Sequence, residues 1–249
     1  MLLIPRQLQE KKPLGPGQKG SWRRQAALFQ QPEGVAPPLG VPVFSPALFP
    51  TGRSVRDQPV LCQSSLTVFQ PLSGHSPVVS SSLTRENRES GAAFLEKVYA
   101  PNAIISAILA IIHPQQFRYG MALNDQLADQ EPFKEVMAKW SSCFTGMQVI
   151  NNRIIGPHRD TGGPYSSLDV IAAVGEFKGG HIHLTNSPYD FRQSPGSVLA
   201  LASRVFEHEV MPYEGNRISF AWFVKDVLYQ WAHMPEIPWS HEADILDRL

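Results

Sequence analysis

The pattern of apolar and polar positions divides the chain into a helical part and a later, strand-rich part. Between residues 90 and 141, apolar residues recur at helical spacing. The longest apolar run, 103–112, begins after Asn102, which we expect to cap a helix, and ends before His113. We therefore predict supporting helices that pack on a sheet, with His113 at a helix end rather than in a metal site.

From residue 147 onward the pattern is typical of β-strands. Short apolar or alternating runs are separated by turns rich in Gly and Pro, as expected for an antiparallel double-sheet jelly roll. The predicted fold class is α+β, a double-stranded β-helix (jelly roll) core at 147–228 with supporting N-terminal helices at 90–141. The six predicted strands cover residues 147–155, 167–174, 181–185, 198–202, 205–210 and 217–224.

The first 62 residues differ in composition from the rest of the chain. They are rich in Pro and Gly without helical or strand periodicity, so we predict a largely disordered arm before one folded domain at 63–249. Up to residue 59 this arm carries eight Lys and Arg against three Asp and Glu, although the whole chain is neutral. Such an arm can bind nucleic-acid phosphates or can be a solvated linker. The segment 64–84 is expected to be an edge strand or a loop.

Composition indicates an ordinary globular protein. The 249 residues are 43% hydrophobic and 18% charged, which suits a single sizeable core. Cys62 and Cys143 are far apart, so neither a disulfide framework nor a zinc site is indicated, and we expect an intracellular protein. The longest apolar run is shorter than the roughly 20 residues that span a bilayer, so no membrane association is predicted. We expect a monomer.

Two histidines and one carboxylate supply the candidate chemistry. His158 and Asp160 are two positions apart on a segment that we expect to be extended, where alternate side chains share a face. His208 ends a later alternating run and can complete the set. Two imidazoles and a carboxylate on one face of an octahedral ion form the facial triad of non-haem Fe(II) oxygenases. His158, Asp160 and His208 are therefore predicted as metal ligands and as the catalytic residues.

A second motif follows the last histidine. Arg217 and Ser219 are again two positions apart on a predicted strand, and a guanidinium beside a hydroxyl suits a carboxylate. The order of HxD, His and RxS resembles the 2-oxoglutarate/Fe(II) dioxygenase superfamily. That resemblance implies Fe(II), 2-oxoglutarate and O2, with Arg217 and Ser219 binding the distal carboxylate of the cosubstrate.

Further fragments lie at 112–117, 152–153, 156–160, 168–169, 175–177 and 194–197, and at His208 with 215–219. Together they resemble the fungal branch of the TET/JBP dioxygenases over about residues 90–228. This resemblance implies oxidation of a methyl group on a DNA base such as 5-methylcytosine, with DNA as a partner and a nuclear location. Tyr165, Phe177 and Trp222 are candidates for stacking on a flipped base.

Other interpretations stay open from the residues alone. The same triad suits a dioxygenase that hydroxylates a protein side chain or a small molecule, which the net acidic charge of residues 60–249 favours. A non-catalytic jelly-roll binding module is a third possibility, and it predicts no metal site. His181 and His183 form a second alternating pair, but we expect them on an exposed or partner-facing side of their strand.

Overall fold

A computed structural model of the chain describes residues 28–30, 41–49, 76–84 and 87–243. Most of the predicted N-terminal arm, together with Cys62, lies outside the described residues. Within them, helices and antiparallel sheets are combined, which confirms the mixed composition of the predicted fold. The helices are α1 (Arg88–Lys97), α2 (Tyr99–Ile112), α3 (Pro114–Ala128), α4 (Lys134–Met137) and α5 (Asp226–Trp231), with a 3₁₀ turn at Ser81–Leu83.

Nine described strands form two sheets. The larger sheet has the order β1-β2-β9-β4-β7 and the smaller sheet has the order β3-β8-β5-β6, with antiparallel neighbours throughout. The strands are β1 (Val43–Phe44), β2 (Gly146–Asn151), β3 (Ile155–His158), β4 (Asp169–Gly179), β5 (Ile182–Leu184), β6 (Asp190–Phe191), β7 (Val198–Leu201), β8 (His208–Val210) and β9 (Tyr213–Phe223).

The predicted strand 147–155 is in fact two strands in different sheets. Asn152 adopts a left-handed backbone conformation with φ 47° and interrupts the run between β2 and β3. Asparagine tolerates this conformation better than most residues. The prediction of one continuous strand was therefore wrong, because the apolar run on both sides of the break conceals a change of sheet.

Two apolar clusters hold the layers together. In the first, helices pack on one face of the larger sheet, where Phe44 stacks on Phe94 and both are fully buried. The second lies between the two sheets, because it combines Ile150, Ala173 and Tyr213 of the larger sheet with Ile182 and Val210 of the smaller one. The larger sheet is thus covered on both faces.

Asn102 corrects one prediction. It lies inside α2, not at its start, and is fully buried. Its side chain accepts a hydrogen bond from Trp222 Nε1 at 2.8 Å and donates one to Ser141 Oγ at 3.3 Å. A buried amide needs such partners, so Asn102 links the helical layer to β9 instead of capping a helix. His113 does lie at a helix end, where it caps α3.

Part of the predicted arm belongs to the fold. Residues 41–49 include β1, which pairs with β2, and Val41 is buried between the sheets. Leu28 accepts a backbone hydrogen bond from Ile154 at 2.8 Å. For these stretches the expectation of a separate disordered arm is corrected, because their apolar side chains complete the core. Of the segment 64–84, residues 76–84 are described; Val78 forms a bridge with Leu48, and Ser81–Leu83 form the 3₁₀ turn.

Among the described helices, no single one is long and apolar enough to cross a membrane. Only α1 and α2 taken together reach that length and apolarity, across a bend of 56°.

Candidate metal centre

His158 and His208 face each other across two paired strands. They are register partners at the ends of β3 and β8, and their ring centroids are 4.4 Å apart. Between Ile155 and His158 the register shifts, so that β3 has one residue more than β8 over this stretch. Such a β-bulge re-aims the side chains that follow it. The bulge therefore brings His158 opposite His208.

Both imidazoles are held in the same tautomer by backbone carbonyl groups. His158 Nδ1 lies 2.9 Å from the carbonyl oxygen of Gly156, and His208 Nδ1 lies 3.0 Å from that of Phe206. A carbonyl oxygen only accepts, so each Nδ1 carries the proton and donates. In the neutral ring this tautomer places the lone pair on Nε2, the form in which histidine binds a metal ion.

Asp160 completes the group, but from a loop. β3 ends at His158, so Asp160 lies beyond the strand that carries His158. Its Oδ2 atom is 4.0 Å from Nε2 of both His158 and His208. The carboxylate side chain is 44% exposed, whereas the His208 side chain is 4% exposed. The carboxylate thus lies on the solvent side of the two rings.

The donor set fits a divalent first-row metal ion. The three ligand atoms lie within 4.8 Å of one another, and no other cluster of three such residues occurs in the described part of the chain. Two neutral imidazoles with one carboxylate are the donors of facial-triad iron sites, which leave further positions for ligands. The residues present can therefore hold Fe(II).

A buried cation lies in the space between the sheets. Arg217 is 3% exposed, and Nη1 donates to Ser219 Oγ at 2.5 Å while Nη2 donates to Gln193 Oε1. The guanidinium carbon is 5.5 Å and 5.6 Å from the ring centroids of Phe177 and Tyr213. Arg217 and Ser219 therefore share one face of β9, as their spacing predicted.

Within the described residues, the guanidinium of Arg217 has no carboxylate at ion-pair distance. Burial lowers its pKa to about 10, and its Nε atom has no hydrogen-bond partner. A buried charge without a counterion is costly. A Cβ atom at Gly180 would lie 3.1 Å from Arg217 Nε, so glycine leaves space beside the unpaired atom. The arrangement suits an anionic ligand.

Comparison with known proteins identifies the family. Residues 71–226, more than half of the chain, match the Tet_JBP family, described as the oxygenase domain of the 2OGFeDO superfamily. The chain belongs to this family. No curated protein matches it.

Two solved structures illustrate the likeness of this Tet/JBP chain. One is NgTET1 in complex with 5mC DNA, with a TM-score of 0.50, 18% identity, and coverage of 69% of this chain and 63% of that chain. At that identity the likeness supports the fold alone. The other is a 2OG-Fe(II) oxygenase family oxidoreductase from Burkholderia pseudomallei, with a TM-score of 0.28, 22% identity, and coverage of 40% and 54%.

The other candidates of the Tet/JBP chain occupy different surroundings. His183 Nδ1 is 2.7 Å from Asp190 Oδ1, and neither His183 nor Asp190 belongs to the metal cluster. Trp222 and Phe177 are buried, whereas Tyr165 is 59% exposed and has the Arg204 guanidinium carbon 3.9 Å from its ring centroid. Of the three aromatic candidates, only Tyr165 is accessible to a ligand from solvent.

Sequence reasoning missed several polar residues of this region. Gln193 follows β6 without a motif to mark it, and Tyr213 carries a buried hydroxyl without a hydrogen-bond partner. Ser203 and Asp169 are both buried, and the Ser203 hydroxyl donates to the carboxylate. The one usable signal was Asp169, a charged residue at the head of an otherwise apolar strand pattern.

Proposed function

We propose that this Tet/JBP protein is an Fe(II)- and 2-oxoglutarate-dependent dioxygenase. The observation that carries the proposal is the convergence of the Nε2 atoms of His158 and His208 with Asp160 Oδ2. His158, Asp160 and His208 would hold the iron, and Arg217 with Ser219 would bind the distal carboxylate of 2-oxoglutarate. The metal, when bound, supplies O2 activation coupled to oxidation of 2-oxoglutarate to succinate and carbon dioxide, for oxidation of a substrate C–H bond.

The protein's own residues orient these components. The carbonyl groups of Gly156 and Phe206 fix the tautomer and the orientation of the imidazoles, as hydrogen-bond partners of metal-binding histidines do. Arg217 would gain the counterion that it lacks, and an apolar wall from Phe177 would strengthen that attraction by excluding water. Fixing both ends of the cosubstrate lowers the entropic barrier of the reaction.

The two sheets are best interpreted as a jelly roll. One sheet has five strands and the other four, all antiparallel, with an apolar cluster between them. The histidines lie on the smaller sheet and Arg217 on the larger one, so the proposed cosubstrate would span the space between sheets. We take the catalytic domain to be residues 63–249 together with residues 28–30 and 41–49, and the rest of the first 62 residues as a basic arm.

For the substrate, we propose a methyl group on a DNA base such as 5-methylcytosine. Family membership supports it, and so does the likeness to NgTET1 in complex with 5mC DNA. The exposed ring of Tyr165, with Arg204 against one face, is suited to stacking on a base that has been flipped from the duplex. A protein side chain or a small molecule is the second candidate, favoured by the net acidic charge of residues 60–249.

Nucleoside mass spectrometry tests the proposal. Purified protein is incubated with Fe(II), 2-oxoglutarate and DNA that contains 5-methylcytosine, thymine or N6-methyladenine, beside a His208→Ala control. We expect oxidised 5-methylcytosine in the wild type and none in the control. Succinate formation without any oxidised base would retain the dioxygenase but redirect the search to proteins and small molecules. Absence of both succinate and metal binding would leave only a non-catalytic binding module.

A further inference from the structure

The turn between β7 and β8 touches two of the three proposed metal ligands. Within this turn, residues 202–206, the carbonyl oxygen of Ser203 accepts the backbone N–H of Asp160 at 3.0 Å. The carbonyl oxygen of Phe206 is the partner of His208 Nδ1 at 3.0 Å. Asp160 has left its strand, so its position depends on contacts of this kind. A displaced turn would move the carboxylate and one imidazole together.

The turn is anchored at one buried point. The Ser203 hydroxyl donates to Asp169 Oδ2, and the two residues are 3% and 8% exposed. Asp169 is the first residue of β4, where it pairs with Leu201 of β7, and Ser203 N–H donates to the Leu201 carbonyl at 2.9 Å. The side-chain bond therefore ties the turn to the larger sheet, just beyond the end of the strand pairing.

Burying the Asp169 carboxylate costs free energy. Asp169 Oδ1 has no hydrogen-bond partner, and burial together with the negative charge of Asp160 raises the pKa of Asp169 to about 7. Ser203 links this carboxylate to Asp160, because its hydroxyl donates to Asp169 and its carbonyl oxygen accepts the backbone N–H of Asp160. An apolar pair at this position would serve packing alone at lower cost. The link from Asp169 to the proposed ligand Asp160 thus points to a role for Asp169 in the metal site.

We propose that Asp169 and Ser203 are positioning residues, which fix the turn 202–206 and through it the metal ligands Asp160 and His208. The inference rests on the proposed metal-binding function. Neither residue touches the metal, and each acts through the backbone of the turn. Residues that orient ligands in this way typically contribute about 10-fold to 100-fold to metal affinity.

Calorimetric titration of Co(II) into the metal-free full chain tests the pair, with the visible Co(II) spectrum as a measure of coordination. We expect Ser203→Ala to weaken Co(II) binding about 10-fold to 100-fold. Asp169→Ala should weaken Co(II) binding to the same extent. Asp169→Asn keeps an oxygen acceptor for Ser203 and should restore affinity to within about threefold of wild type.

A matched control comes from the same region. Ser167 is 4% exposed and donates to the Pro164 carbonyl at 2.9 Å, away from the ligand turn, so Ser167→Ala should bind Co(II) like wild type. Circular dichroism establishes that each variant is folded. If Asp169→Ala does not fold, the Co(II) affinities of Ser203→Ala and Asp169→Asn test the role of the pair.

The outcomes separate this inference from the proposed function. His158→Ala should abolish Co(II) binding if the proposed site is real. If His158→Ala binds as wild type does, or wild type binds no Co(II), the metal site fails and the positioning pair with it. If only His158→Ala loses binding while Ser203→Ala matches Ser167→Ala, the metal site stands and the positioning pair is overturned.

Discussion

Replacing Arg217 by Met tests whether the buried guanidinium exists to bind an anion. The change keeps a long side chain and removes the charge. Burial lowers the pKa of Arg217 from 12.5 to about 10, which corresponds to about 3 kcal/mol. Because the folded state holds this proton less tightly than the unfolded chain, the full cost is present at neutral pH. It fades only as the pH rises above about 10.

In the ligand-free Arg217→Met variant, two opposite effects act on the unfolding free energy. Methionine relieves the cost of the buried charge but loses the hydrogen bonds to Ser219 and Gln193, each worth about 1.5–3 kcal/mol. We therefore expect the unfolding free energy to change by less than about 3 kcal/mol. Loss of a buried, hydrogen-bonded charge pair with the cosubstrate costs about 2–5 kcal/mol, which is about 30-fold or more in affinity.

Urea denaturation with and without 2-oxoglutarate, and calorimetry of 2-oxoglutarate binding with Mn(II) in place of iron, measure the two effects. Arg88→Met is the control, because Arg88 carries the same charge but forms a surface ion pair with Glu135 in the helical layer. The control should bind 2-oxoglutarate normally. Wild-type affinity in Arg217→Met would refute the clamp, and so would equal losses in the two variants.

Three further changes test the site and the fold. His158→Ala should abolish Fe(II) binding in a metal assay, whereas His183→Ala, in the surface pair, should leave it unchanged. Gly120→Ala should lower the unfolding free energy by about 3 kcal/mol or more, measured in urea, because its Cβ would lie 2.1 Å from the Cys143 carbonyl oxygen; a neutral effect would contradict the close packing of α3. The raised pKa of Asp169 means that the folded, metal-free protein binds this proton more tightly than the unfolded chain. Stability should therefore fall by about 2 kcal/mol between about pH 5 and about pH 7, and Asp169→Asn should flatten that part of the curve; an unchanged slope in the variant would assign the decline to other groups.

The candidate site residues could be singled out from the sequence, but their geometry could not. Residue type, order and spacing were enough to single out His158, Asp160, His208 and Arg217, because metal and carboxylate binding restrict which side chains can serve. The same spacing suggested that His158 and Asp160 share one extended segment. The bulge and the end of β3 show otherwise, and both depend on pairing with β8, which is distant in sequence.

In the fold as well, features set by neighbouring residues could be predicted, whereas contacts between segments distant in sequence could not. Alternation along β9 places Arg217 and Ser219 on one face, and both are buried there. The change of sheet at Asn152 could not be read from apolar residues on both sides of it. Gln193 reaches Arg217 from the segment after β6, which hydrogen-bonds to Ile171 and Ala173 of β4, and no short sequence pattern predicts such a contact.

The separation of the two proposed binding sites between sheets has a mechanistic consequence. The imidazoles depend on carbonyl groups at the edge of the smaller sheet, whereas Arg217 depends on β9 of the larger one. A cosubstrate that contacts both would be sensitive to the spacing of the sheets. The Ser203–Asp169 hydrogen bond joins the ligand-bearing turn to the start of β4, so it connects the metal ligands to the sheet that carries Arg217. We therefore expect Ser203→Ala to weaken 2-oxoglutarate binding when metal is present. The hydrogen bonds of Arg217 to Ser219 and Gln193 should stay as they are in the wild type.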